Sequence, residues 1–367
     1  MKLRDIGIIF LVAALIAGIV GAYRFFSVKS SKNLFNEGLR SYSAGNYAEA
    51  VKLFKKLKKD KSKLGRESLI YYARCLKNVN SPDCERAWLS VTKLSDMEDR
   101  KPEVFFNLGV LAYEKEDIDK AKEYFNKLSR NYPGEIFAGN SYYYLGLVNL
   151  KEGDLVSSRE NFLKVIQNYS NSDFAADAQD KYGDASIAVL FSKEITPLSE
   201  RYIVQKGDTL SGISKKYNTT VELLREMNKI SDGLIRIGDR LKVPLMKFSI
   251  SIDKSQNKLM LLSNGKMFKI YTVGTGRENS TPTGKFTIIS KLVNPPWRGI
   301  PPEDPRNILG TRWMGFNEPY KDYGIHGTTA PETIGTQSSA GCVRMYNMEV
   351  EELYKIIPYG AEITIVD

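Results

Sequence analysis

A chain of 367 residues, 42% hydrophobic and 26% charged at a mean hydropathy of -0.31, can bury two or three separate cores and is too polar for a polytopic membrane protein. The composition also excludes a collagen-like or wholly disordered chain, and three dispersed cysteines with one histidine leave neither a disulfide framework nor a zinc or iron site. The net charge of +10 is densest in residues 201–247, where ten Lys and Arg face five Asp and Glu, so an anionic partner would be met by that short segment.

The chain opens with Lys2 and Arg4 before an uncharged, mostly aliphatic run from Ile6 to Tyr23. As a helix its 18 residues reach about 27 Å at ~1.5 Å per residue, just enough for a bilayer. The leading cations favour a cytoplasmic N-terminus, although Arg24 and Lys29 weaken the asymmetry. Residues 1–30 are therefore expected to be a single-pass membrane anchor, or else a signal peptide cleaved near Val20-Gly21-Ala22. Either reading puts the bulk of the chain outside the cytoplasm.

Residues 31–195 carry a repeat. Gly38, Ala73, Gly109 and Gly146 recur at spacings of 35, 36 and 37, each in an apolar helical segment. Ala50, Ala121 and Ser158 follow three of them by twelve positions, and Phe54, Phe125 and Phe162 by sixteen; in the second unit Ala87 and Val91 are displaced by two. Turns at Gly45-Asn46-Tyr47 and Glu152-Gly153-Asp154 separate the helices of their units. The pattern resembles a tetratricopeptide array of about four helical hairpins, the second degenerate. Its small and aromatic residues are expected to pack the array, and a protein partner would use the concave face. Cys75 and Cys84 flank the turn Asn78–Pro82 and are expected either to pair or to lie as two buried thiols.

At Tyr202 the pattern changes to Tyr-Ile-Val-Gln-Lys-Gly-Asp-Thr-Leu, then Ile213, Tyr217, Leu223-Leu224, Asn228 and Ile237-Gly238-Asp239-Arg240-Leu241, ending at Pro244. Alternating ends around helical middles predict strand-helix-helix-strand. Residues 200–246 resemble a LysM module along its full length, which implies binding to N-acetylglucosamine-containing glycans such as peptidoglycan. The charge alone would also suit a small nucleic-acid-binding domain, but an exported chain meets anionic wall polymers, and no nucleic-acid partner is expected.

Alternation over residues 248–253, 258–262, 268–273, 285–290 and 361–366 predicts short strands, with one helix at 348–357, so residues 247–367 should form a mainly β domain. Gly274-Thr275-Gly276 lacks the third glycine of a dinucleotide fingerprint, whose place Asn279 takes. Six of the fourteen prolines lie between 295 and 319 with Trp297, Trp313 and Phe316, which predicts one long stiff loop, either a pocket wall or a cover for the end of the sheet.

The sharpest constellation is Ile325-His326-Gly327-Thr328, then Ser338-Ser339-Ala340-Gly341-Cys342-Val343-Arg344-Met345. A free thiol at pKa ~8.5 is only a few per cent thiolate at neutral pH, so a nucleophilic cysteine needs a base, and His326 is the chain's one histidine. Gly341 permits a tight turn whose backbone N–H could meet a developing oxyanion.

His-Gly-Thr followed by Ser-x-Gly-Cys-x-Arg resembles the signature of YkuD-type L,D-transpeptidases, and the likeness extends over residues 248–367 through Thr281-Pro282-Thr283-Gly284-Lys285-Phe286. It implies that Cys342 attacks a peptidoglycan stem peptide at its third residue and expels D-alanine. His326 would serve as the base, and the cysteinyl thioester would pass to a second stem as a 3→3 cross-link. No cofactor or metal is implied. The second ring nitrogen of His326 would be oriented by a backbone carbonyl, such as that of Gly327. Gly341, Gly327, Arg344, Ser339 and Thr328 are the remaining binding or oxyanion candidates. Arg344 holds either a substrate carboxylate or a buried ion pair; Ser339 and Thr328 either donate at the site or cap turns. Many relatives carry a histidine where this chain has Ala340, so no role of that residue transfers. With water as acceptor the same site would be a carboxypeptidase, and a non-catalytic wall-binding scaffold is the other alternative.

Overall fold

The computed structural model describes residues 30–367, so the proposed anchor lies outside the described residues. Among these, no helix is long and apolar enough to cross a membrane. The chain divides into two compact units, one ending at Val148 and one beginning at Asn149.

The first unit is helical: α1 over residues 30–43, α2 (Tyr47–Leu57), α3 (Lys63–Asn78), α4 (Cys84–Thr92), α5 (Lys101–Glu114), α6 (Ile118–Asn131) and most of α7 (Ile136–Glu152), whose last turn falls in the second unit. The repeated spacing of sixteen has a direct cause. A Cβ added at Gly38 would lie 2.7 Å from the Phe54 ring, and one at Gly109 would lie 2.5 Å from the Phe125 ring. The glycine of one helix and the phenylalanine of the next are thus a knob and its seat, and both rings are fully buried. Asp117 starts α6 by accepting the Lys120 N–H. Cys75 and Cys84 are free, buried thiols, which decides between the two expectations for them; burial pushes both thiols up.

The second unit begins with α8 (Leu155–Asn168) and α9 (Ala175–Phe191), then β1 (Ser199–Ile203), α10 (Leu210–Lys216), α11 (Val221–Asn228) and β2 (Arg240–Pro244). This strand-helix-helix-strand element follows the LysM motif residue by residue. Asp208 accepts from the Gln205 N–H and the Tyr202 hydroxyl, both at 2.7 Å, and Thr209 caps α10 through the Gly212 N–H. Asn228 closes the element by exchanging hydrogen bonds with the backbone of Lys242.

The remainder comprises β3 (Phe248–Asp253), β4 (Lys258–Ser263), β5 (Lys266–Thr272), β6 (Thr275–Gly276), β7 (Gly284–Val293), β8 (Arg312–Phe316), β9 (Gly324–His326), β10 (Gln337–Ser339), β11 (Val343–Arg344), α12 (Asn347–Ile356) and β12 (Glu362–Val366). One sheet runs in the order β11-β9-β8-β7-β12-β3-β4-β5, antiparallel except where β12 meets β3 and β9 meets β11; β6 and β10 pair separately. Val350, Leu353 and Ile356 of α12 pack against Phe286, Ile288, Met314 and Ile325 of the sheet. The same core takes in Ile187 and Leu190 of α9 and Leu223 and Met227 of α11, so the LysM-like element is joined to the β domain through a shared apolar interior.

The expected single loop over 295–319 is interrupted by β8. The prolines cluster at 295–305, none falls between 306 and 318, and that gap is where Trp313 and Phe316 enter the sheet. Buried Asn307 holds the proline-rich part, its amide donating to the Pro295 carbonyl at 2.9 Å.

Candidate active site

Strands β9 and β11 run parallel, with Val343 opposite Ile325 and Arg344 opposite His326. Ile325 and Val343 are fully buried in the core, so the two-residue period of a strand turns their neighbours to the other face. His326, Cys342 and Arg344 therefore share one face, with Cys342 diagonal to His326 across the pair.

His326 is 2% exposed. Its ring stacks on Trp313 from the neighbouring strand, with centroids 5.8 Å apart and planes at 22°, and Trp313 is held in turn by Ser290. The Nδ1 atom lies 2.6 Å from the Gly327 carbonyl. A carbonyl only accepts, so Nδ1 carries the proton and Nε2 keeps the lone pair of a base. Burial, helped by the Arg344 charge and opposed by the carbonyls of Gly327 and Leu309, pulls the imidazole down to about 4.

Cys342 is half-buried, and its thiol donates to the Asp322 carbonyl at 3.8 Å. Burial pushes the thiol up, with the Gly324 N–H and Arg344 favouring the thiolate and Asp322 opposing it.

The other expected residues divide. Gly341 makes the tight turn at φ 121°, where a Cβ would fall 2.3 Å from the Tyr323 ring. Its N–H, however, donates to Ser339 Oγ at 3.0 Å, so the expected oxyanion donor is already engaged. Among the described residues the Cys342 N–H meets no acceptor, which makes it the donor available beside the sulfur. Ser339 is a turn cap, accepting from Gly341 and donating to the Cys342 carbonyl at 2.6 Å. Thr328 likewise accepts the Ala330 N–H at 3.0 Å. Arg344 meets no carboxylate within ion-pair distance among the described residues, contrary to the ion-pair alternative; its Nη1 reaches Thr333 Oγ1 at 3.4 Å and its buried Nε has no partner.

The sequence reading passed over Asn347 at the start of α12. Its Oδ1 accepts the N–H groups of Thr311 and Thr328, both at 3.2 Å, and its Nδ2 donates to the Thr328 carbonyl at 3.1 Å. A Cβ at Gly327 would come within 2.1 Å of that oxygen, so Gly327 serves the site by staying small as well as by holding His326. Lys254, also unnoticed, is buried and donates to the Thr281 carbonyl at 2.9 Å, anchoring the Thr281–Gly284 turn whose Thr281 hydroxyl receives the Gly276 N–H.

Three stretches of the chain match known families. Residues 247–365 match the L,D-transpeptidase catalytic domain, residues 202–244 the LysM domain, and residues 103–134 and 140–172 the tetratricopeptide repeat. The putative L,D-transpeptidase YqjB of Bacillus subtilis is 39% identical over 124 residues, 32% of this chain and 70% of its own. The putative L,D-transpeptidase YkuD of Bacillus subtilis is 32% identical over 171 residues, 45% of this chain and 97% of its own. Among solved structures, L,D-transpeptidase 3 from Mycobacterium tuberculosis in complex with a faropenem-derived adduct aligns with a TM-score of 0.29 at 14% identity, covering 46% of this chain and 92% of that one. With nearly the whole length of one such relative aligned on its C-terminal portion, the chain belongs to the YkuD family of L,D-transpeptidases.

Proposed function

We propose that this L,D-transpeptidase works through Cys342 as nucleophile and His326 as base, and forms 3→3 cross-links in peptidoglycan. The observation that carries the reading is the parallel pairing of β9 and β11, which sets the thiol and the imidazole on one face with Nδ1 tied to the Gly327 carbonyl. In the first step the Cys342 sulfur bonds to the carbonyl carbon of the third stem residue while its proton passes to His326 Nε2. The Cys342 N–H faces the resulting oxyanion. Collapse breaks the amide bond, and the imidazolium returns its proton to the departing D-alanine amine. The side-chain amine of a second stem then attacks the thioester, losing its proton to His326, which restores the thiol. Burial raises the thiol and lowers the imidazole, so full proton transfer between them in the resting enzyme is uphill. Proton transfer therefore accompanies attack on the bound substrate and does not precede it.

The LysM element supplies attachment to the glycan strands. The concave face of the helical repeats is left for a protein partner, and the apolar run at residues 6–23 anchors the chain with its bulk outside the cytoplasm. Incubation of the purified enzyme with disaccharide-tetrapeptide, followed by mass spectrometry of the muropeptides, tests the reading. A 3→3 dimer with release of one D-alanine is expected. Release of D-alanine without a dimer would make water the acceptor, and no release at all would leave the wall-binding scaffold.

A further inference from the structure

Arg344 carries a charge that the fold does not answer. No carboxylate lies within ion-pair distance of it among the described residues, its Nη1 has only the neutral Thr333 hydroxyl at 3.4 Å, and its buried Nε has no partner. Buried and half-buried lysines of the same unit have their donors met, Lys269 by Asp184 and Glu352, Lys254 by Asp367 and the Thr281 carbonyl, and Lys242 and Lys291 by backbone carbonyls alone, whereas the Arg344 Nε has nothing. A half-buried guanidinium left without an anion is costly unless a ligand supplies one.

The position says which anion. Arg344 is two residues beyond Cys342 on one strand face, with its Cα about 6–7 Å away, a distance that its long side chain spans. Its charge acts on both reacting groups, favouring the Cys342 thiolate and opposing protonation of His326. In the donor stem, the carboxylate carbon of the leaving residue is three bonds, about 4 Å of chain, from the carbonyl carbon that sulfur attacks. A carboxylate on the far end of a diamino acid is several bonds further.

Resting on the transpeptidase reading above, the geometry points to Arg344 as the residue that binds the free C-terminal carboxylate of the leaving residue, with the Thr333 hydroxyl steadying the guanidinium. The donor is then recognised by its chain end. A stem continued past that residue, or blocked there as an amide, offers no anion to Arg344. Pairing also offsets the positive charge that opposes protonation of His326, so the base strengthens when the correct donor is bound.

Two synthetic donors of the same sequence test this, one ending in a free carboxylate and one in a carboxamide, each with an excess of acceptor stem and with release of the leaving residue followed by mass spectrometry. The wild-type enzyme should favour the free acid by roughly 10- to 100-fold in kcat/KM, the worth of a charge-assisted hydrogen bond. Arg344→Gln should bring that ratio below about 3, and Arg344→Lys should keep part of it, with thermal unfolding of each variant as the check on folding. Equal use of both donors by the wild type would overturn the assignment and leave the transpeptidase reading intact, without recourse to any variant. A ratio retained in Arg344→Gln would overturn it as well. Failure of the wild type to use either donor would overturn the transpeptidase reading and this assignment together.

Discussion

Replacing Asn347 with alanine should damage the site without touching either reacting group. The side chain ties together three backbone groups, the N–H of Thr311 and both the N–H and carbonyl of Thr328, at 3.1–3.2 Å. Alanine leaves all three without that partner in a part-buried setting, at about 1 kcal/mol each, or about 3 kcal/mol in sum. For a cooperative unit of this size 1 kcal/mol moves Tm by about 2–4 °C, so calorimetry should show a fall of roughly 6–12 °C. The same loss frees the Gly327–Thr328 segment, whose carbonyl holds His326 Nδ1 at 2.6 Å, and a misdirected base should slow acylation by a carbapenem by ~10-fold or more. Asn347→Asp keeps the acceptor for both N–H groups but faces the Thr328 carbonyl with a second oxygen, and should fall between wild type and alanine. An alanine variant that melts within 2 °C of wild type and acylates at the wild-type rate would refute the account of Asn347 as the brace of the histidine.

Cys342→Ala should abolish both the 3→3 dimer and the covalent carbapenem adduct in intact-mass spectra, since the sulfur is the proposed acyl carrier. His326→Gln should slow acylation by roughly 10²-fold or more, read by stopped-flow, with glycan sedimentation unchanged. Folding depresses the His326 pKa from 6.5 to about 4, so between these values the unfolded chain binds the extra proton; stability should fall by about 3 kcal/mol as pH drops from 6.5 to 4, and calorimetry of His326→Gln should lack that component. Excising residues 201–247 removes Leu223 and Met227 from the β-domain core and Lys242 from the end of α9, so the remaining chain should melt far lower; an unaltered melting curve would show the junction to be inert.

The elements that the sequence made legible are those with a strong period. The alternation over Phe248–Asp253 and the buried helix positions Val350 and Leu353 read through directly, because each element sorts its residues between one core and solvent, whereas Ile357, expected on that face, follows the helix in extended backbone and Ile356 is buried in the last turn. The repeat spacing likewise pointed to close helix pairing, and the Gly38–Phe54 and Gly109–Phe125 contacts give it a cause. The site was legible as a set of residue types and not as an arrangement. That Cys342 and His326 share a face depends on the parallel register of β9 and β11, which no local pattern encodes. Ser339 was visible and its choice between substrate and turn was not, since that is decided by a side-chain bond to Gly341 N–H and the Cys342 carbonyl. Asn347 went unseen because an asparagine at a helix start looks like an ordinary cap, and its real partners lie 19 and 36 residues away.

Charge counting overstates the exposed charge of residues 201–247 at one position. Lys242 is one of the ten cations that make residues 201–247 the basic segment, yet it is 3% exposed. Its Nζ donates to the carbonyls of Val189 at 2.8 Å, Ser192 at 2.9 Å and Leu190 at 3.3 Å, closing the C-terminal end of α9, and burial lowers it to about 8. Arg225 likewise spends its guanidinium on the carbonyls of Ile230 and Ser231. Both cations hold the LysM-like element in shape, and Lys242, being buried, does not add to the charge that faces solvent. The motif placed the module correctly because it is made of capping and turn residues whose partners are local. Net charge marks the same segment but counts a lysine that ends a helix and a lysine that meets solvent as the same thing.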